Sequence, residues 1–203
     1  MFIILNPMNS KAQKSTLKKF LKLHLPEKIW VLSHPFVAGK ANIISENAYK
    51  IAEEKLSDPD LDGDGSGGQV DAFRHALWMA MLTQEIGAWR ARRLGIAHEK
   101  SNETDFKNKT LEEGFLPNFV SCQMDLQNNE LGIDIAKKNK TCTQTELIEI
   151  VKKKVIEGQA VKIKKNKNRE FLDSQGKIIP KQNYLGKWYS PKTLVRSDFQ
   201  SDN

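Results

Sequence analysis

One stretch limits the fold more than any other: VDAFRHALWMAMLTQEI, residues 70–86, closed by Gly87. Its apolar residues recur at helical spacing and are the densest in the chain. A helix this apolar has to be covered by the rest of the protein, and any Arg or His that it buries has to be satisfied there. Asp71, His75, Trp78 and Leu82 fall at i, i+4, i+7 and i+11, on one face, with Arg74 beside it. Phe73, Leu77, Ala80 and Met81 are left to form core. The 203 residues, 39% of them hydrophobic, suffice for one domain with a real core. The longest apolar runs, 1–5 and 76–82, are too short to span a bilayer.

The covering elements are also helical. Ser45 is placed to cap a helix to about residue 56, with Tyr49, Ile51, Ala52 and Leu56 inward. A helix over about 88–100 sets Ala91, Leu94, Gly95 and His98 on neighbouring turns. After a connection containing Gly114 and Pro117, another runs from about Asn118 to Lys138. Thr143 or Thr145 caps the last, with Leu147, Ile150, Val151 and Val155 inward. Beyond Gly158, residues 161–163 and 170–172 alternate, 174–176 turn, and 177–179 extend again. The expected fold is mainly α: a compact bundle of about five helices with a small C-terminal β-hairpin. Residues 1–42, interrupted by Pro26 and Pro35, read as an N-terminal arm, 43–158 as the helical core, and 159–203 as hairpin and irregular tail, with Tyr184, Trp188 and Tyr189 expected to pack back on the body.

Three groups of polar residues suggest chemistry. Asp71, Arg74, His75 and Trp78 are the first. The second is His98-Glu99 with Asn102 and Glu103, where His98/Asn102 and Glu99/Glu103 are i, i+4 pairs. The third is Asp125 with Asn128 and Asn129, amides that disfavour a helix interior unless they are needed there. Two of the four histidines and several carboxylates thus sit on adjacent helices. His75, His98, Asp125 and Glu103 form a sufficient ligand set for a divalent metal such as Zn, Mn or Mg. Glu99 is then the candidate general base and Arg74 the cation for an anionic oxygen. In a metal-free alternative His98 is the base, oriented by Glu103 or Asp125, while His75 and Arg74 bind the anion. The bland alternative is a structural network, with Asp71 orienting His75, Trp78 packing, and the other groups lying on solvated faces.

AFRHALWMAMLTQEIG, GIAHE and MDLQNNELG, in that order over residues 70–136, resemble an uncharacterised bacterial helical domain with an Ala-Phe-Arg-His-x-x-Trp signature. That domain is found stand-alone and at the ends of polymorphic-toxin and wall-associated proteins. The resemblance implies a helical fold and a shared site of Arg74, His75, Trp78, His98, Glu99, Asp125, Asn128 and Asn129, with a toxin or effector role by association. Met79 follows the Trp where the resembled domain often carries Asn.

Asp60, Asp62 and Asp64, with Gly65 at position 6 and Asp71 at position 12, match calcium-loop spacing between two helices. Gly67 at position 8, Asp in place of Glu at position 12, and the lack of a second loop favour an acidic turn instead. The net charge of +7 sits outside the motifs: residues 70–136 hold seven basic and ten acidic residues, whereas 137–169 hold eleven basic and three acidic. That basic stretch lacks interleaved aromatics, so a solvated face is favoured over nucleic-acid or membrane contact. Cys122 and Cys142 lack metal-type spacing and fit two buried thiols better than one disulfide. The N-terminal apolar run is too short for a signal peptide and follows no basic residue, which points to the cytoplasm or to signal-independent secretion.

The leading expectation is a metal-assisted hydrolase of an anionic ester, such as a phosphodiester or phospholipid. A non-catalytic partner-binding module and a calcium-stabilised helical domain are its rivals.

Overall fold

The computed structural model describes residues 18–111 and 116–200. The N-terminal apolar run and Gly114 lie outside the described residues. After a helical stretch over 18–22, the elements are α1 (Leu25–Ser33), α2 (Pro35–Glu54), a 3₁₀ turn (Lys55–Ser57), α3 (Gln69–Ile86), α4 (Ala88–Asn108), α5 (Phe119–Lys138), α6 (Gln144–Ile156), β1 (Val161–Ile163) and β2 (Leu194–Arg196). The fold is mainly α with a small antiparallel sheet.

The apolar segment that opened the sequence is the central helix, α3, and it packs against α2, α4, α5 and α6. Ala72, Phe73, Ala76, Leu77, Met79, Ala80 and Leu82 are fully excluded from solvent, so core surrounds the helix instead of lining one stripe. The tightest approach is to α5. A Cβ built on Gly132 would stand 2.0 Å from the carbonyl oxygen of Ala76, so only glycine lets these two backbones meet. Gly95 on α4 plays a milder version of the same part, since its Cβ would come 3.0 Å from the Asn129 amide.

The helix ends follow local chemistry. Gly87, at φ 85°, stops α3 and starts α4. Asn118 with Ser121, and Thr143 with Glu146, close reciprocal capping boxes at α5 and α6. α4 runs two turns beyond its expected end, to Asn108. α2 begins ten residues before Ser45, which lies mid-helix with its hydroxyl bonded back to the Ala41 carbonyl. Pro26 and Pro35 open helices at first-turn positions, where the missing N–H costs nothing. Residues 25–42, expected as part of an arm, are therefore helical, and Trp30 and Ala41 join the core.

β1 pairs with β2 in the register Val161↔Arg196, Lys162↔Val195, Ile163↔Leu194. The expected partner, 170–172, meets its neighbours only through the bridges Lys165↔Phe171 and Leu172↔Ile178. The tail is anchored. Ser197 is fully buried, donating to the Val155 carbonyl and accepting from Gln69 on α3. Trp188 and Tyr189 pack at a tilt on Phe106 and Phe119 of the body, as expected, whereas Tyr184 stands edge-on to Phe171 within the C-terminal segment itself. Cys122 and Cys142 are free thiols, Cys122 buried and Cys142 partly so. No described helix is long and apolar enough to cross a membrane.

Candidate functional site

α3 and α5 cross where Gly132 lets them, and that crossing carries Asp71 and His75 to Asp125. His75 Nε2 is 3.6 Å from Asp71 Oδ1 and 3.4 Å from Asp125 Oδ1. All three side chains are buried. Among the described residues they are the one group of three or more His, Cys, Asp or Glu side chains whose ligand atoms lie within 4.8 Å of one another. Arg74 Nη2 donates to Asp71 Oδ1 at 2.6 Å and lies 3.2 Å from His75 Nε2. Asp71 Oδ2 accepts the Gly67 backbone N–H at 2.6 Å, so this carboxylate ties the acidic loop to the cluster.

Burial, reinforced by the positive charges of Arg74 and His98, holds the His75 imidazole well below its ordinary pKa, while Asn129 acts the other way. The ring is therefore neutral near pH 7. His75 Nδ1 and both amide atoms of Asn129 are buried without a hydrogen bond of ordinary geometry. A neutral imidazole beside two carboxylate oxygens brings three lone-pair donors together, and such a group favours a cation at its centre.

Two cavities flank the cluster, and Arg74 lines both. One, of about 300 Å³, is mostly apolar, walled by Trp30, Ala41, Trp78 and Leu94 and floored by Arg74 and His75. The other, of about 140 Å³, touches Asp71, Arg74 and Asp125 on one side and Phe171, Tyr184 and Lys192 on the other. His75 lines the first cavity and Asp71 and Asp125 line the second, so each residue of the cluster borders one of the two.

The remaining expected residues divide. Trp78 donates to Ser45 at 2.8 Å and stands edge-on to both His75 and His98. His98 belongs to a separate pair with Glu27 of α1, 3.3 Å apart, and is outside the ligand cluster. Burial alone would raise Glu27, but the His98 hydrogen bond and charge, with Ser101, hold it below its ordinary value. Glu99 is buried and accepts from Asn102 at 3.2 Å, also outside the cluster. Glu103 is on the surface with Lys107. Helical spacing explains the separation: Glu103 is displaced from His98 by five residues, most of half a turn around α4. Asn128 faces β1, bonding the Val161 N–H and C=O as a strand would. Asn129, its neighbour, is the amide at the site.

The acidic loop carries its own cations. Asp60 pairs with Lys152 at 2.7 Å, Asp62 with Lys162 at 3.3 Å and Asp64 with Lys165 at 2.5 Å. Three lysines of the basic stretch thus meet the carboxylates that read as calcium ligands. Sequence reasoning missed Glu27, which lay in the presumed arm, and Lys192, which sits in an irregular tail and is brought to the site only by tertiary packing.

A helical bundle whose crossing helices α3 and α5 hold a buried Asp-His-Asp cluster between two cavities defines the class of protein. The chain belongs to the DUF6973 family, a domain of unknown function, whose model matches residues 28–159. No curated protein and no solved structure matches it.

Proposed function

We propose that the protein is a metal-assisted hydrolase of an anionic ester, with the divalent metal held by His75, Asp71 and Asp125. The observation that carries this is the convergence of three buried ligand atoms, one of them a neutral imidazole nitrogen, within 4.8 Å. A bound divalent ion would polarise the ester oxygen and lower the pKa of a coordinated water. Arg74, which lines both cavities, is placed to hold the anionic oxygen. His98, Glu99 and Glu103 are not needed as ligands, and His98 with Trp78 instead shapes the apolar chamber. An effector or toxin role in bacteria goes with the same reading, and it rests on the resemblance of the three motifs.

Plasma mass spectrometry of the full chain, together with hydrolysis of bis(p-nitrophenyl) phosphate, tests the proposal. About one metal per chain and metal-dependent turnover are expected, both lost in His75→Ala and Asp125→Ala while circular dichroism still reports a folded helical protein. A wild-type chain that takes up no Zn, Mn or Mg overturns it. The second reading, a buried structural network, is favoured by one specific observation: Arg74 already supplies a cation to Asp71 and His75. Under that reading the same variants lower the melting temperature and change nothing else.

A further inference from the structure

The smaller cavity is bounded on its far side by residues from beyond the family-matched segment. Phe171, Tyr184, Lys187 and Lys192 come from the C-terminal region, and they face Asp71, Arg74 and Asp125. Lys192 differs from the lysines at the acidic loop. Lys152, Lys162 and Lys165 each find a carboxylate. Lys192 is half-buried with its ammonium 3.8 Å from the Phe171 ring centre and 5.1 Å from that of Tyr184. Among the described residues no carboxylate pairs with it. Aromatic faces stabilise a cation without neutralising it, so the charge remains available to a ligand.

We propose that this cavity binds the anionic group of the substrate, a phosphoryl or comparable oxyanion, and that Lys192 is the cation that recognises it together with Arg74. The inference rests on the metal-site reading, because the oxyanion it places lies against the carboxylates assigned there as ligands. Asp71 and Asp125 on the opposite wall would repel an anion by themselves; a divalent ion between them would cancel that charge, leaving Arg74 and Lys192 as the net positive groups lining the cavity. The volume, about 140 Å³, suits a compact anionic group. The apolar chamber across Arg74 is left for the uncharged part of the ester.

Burial, with the nearby positive charge of Lys165, lowers Lys192 to about 8. The groups facing it are Lys165, Lys187, Arg74, Tyr184, Asp71 and Asp125. A bound anion would hold its proton in place.

The test is calorimetric titration of the full chain with inorganic phosphate near pH 7, with and without saturating Mn²⁺, on wild type, Lys192→Met, Lys192→Arg and, as a surface control, Lys137→Met. Loss of a charge-assisted contact is expected to weaken phosphate by about ten-fold in Lys192→Met. Lys192→Arg should stay within about three-fold of wild type, because the charge is kept. Lys137→Met, whose lysine pairs with Asp134 on the surface, should match wild type. Mn²⁺ stoichiometry is expected to be the same in all four. Wild-type chain that binds Mn²⁺ but no phosphate, or phosphate affinity unaltered in Lys192→Met, overturns the anion site and leaves the metal reading standing. Phosphate binding that needs Lys192 in a chain that takes up no metal does the reverse.

Discussion

Two groups of carboxylates in this protein read alike as cation ligands, and the fold treats them oppositely. Asp60, Asp62 and Asp64 sit in a loop and each meets its own lysine, carried by α6, β1 or the turn after it. Asp71 and Asp125 sit on crossing helices, buried, and share a neutral imidazole, with the Arg74 guanidinium on Asp71. Carboxylate spacing does not distinguish the two. The surroundings do: each loop aspartate meets a lysine ammonium, whereas the crossing sets a neutral imidazole nitrogen beside both carboxylates. An imidazole lone pair beside two buried carboxylate oxygens is a mixed donor set of the kind divalent metals take, and the loop offers no such nitrogen.

The sharpest way to break the contrast is to force the crossing open. Gly132→Ala places a methyl where the Ala76 carbonyl already is, 2.0 Å away, and backbone cannot yield as a side chain can. A loss of at least about 3 kcal/mol in urea unfolding is expected, with metal uptake weakened in whatever folded protein remains. A fully stable Gly132→Ala chain would mean that α3 and α5 do not meet as described.

A smaller effect compares equal charge deletions in the two places. Arg74→Met removes the cation from a buried pair whose side chains are 19% and 9% exposed. A cost of about 2 kcal/mol is expected, discounted for that residual exposure. Lys162→Met removes a lysine from Asp62, which is 28% exposed and keeps the Gln69 N–H. About 1 kcal/mol or less is expected there. Added Mn²⁺ should restore Arg74→Met and leave Lys162→Met where it was, as followed by thermal unfolding. Equal costs, or equal rescue, would erase the distinction between the clusters.

This difference could be read from the sequence only in part. The central helix, its Gly87 stop, the start of α5 near Asn118 and a Thr143 cap were legible, because capping chemistry and apolar spacing are local, whereas the grouping of His75 with Asp125 came from chain order and from the resemblance of the three motifs. Pro26 and Pro35 misled, since proline at the first turn of a helix looks the same in sequence as proline that breaks one. His98-Glu99 and Glu103 were grouped with His75 by chain order, but the distance between helices depends on Gly132 and Gly95, whose effect is visible only once the helices are paired. The lysines of the basic stretch and the aspartates of the loop looked like two independent features. Their pairing spans 92 to 101 residues, beyond any local pattern.

The smallest and most selective effect is in pH. His75 is held below its unfolded value of 6.5, so between those two values the unfolded chain binds a proton that the folded chain refuses. Stability from the neutral, buried ring is fully present above about pH 6.5 and is lost as pH falls from there toward the folded value. The slope cannot exceed about 1.4 kcal/mol per pH unit for one group. The loop answers in another window. Asp58, which Lys152 holds below its ordinary 3.8 against the opposing effect of burial and with help from Lys55, contributes stability that is present above that value and is lost as the pH falls below it. Melting curves from pH 8 down to 3 in the presence of a chelator should therefore show two separate declines, the upper one flattened in His75→Asn and the lower one in Asp58→Asn. If the upper decline persists in His75→Asn, another group is titrating and the crossing does not hold a neutral imidazole. The neutral ring is also what makes the cluster a ligand set, because a protonated His75 would have no lone pair to offer at Nε2, and so the pH at which the upper decline levels off, where the folded ring takes up its proton, marks the lower edge of the range in which that nitrogen can bind a metal.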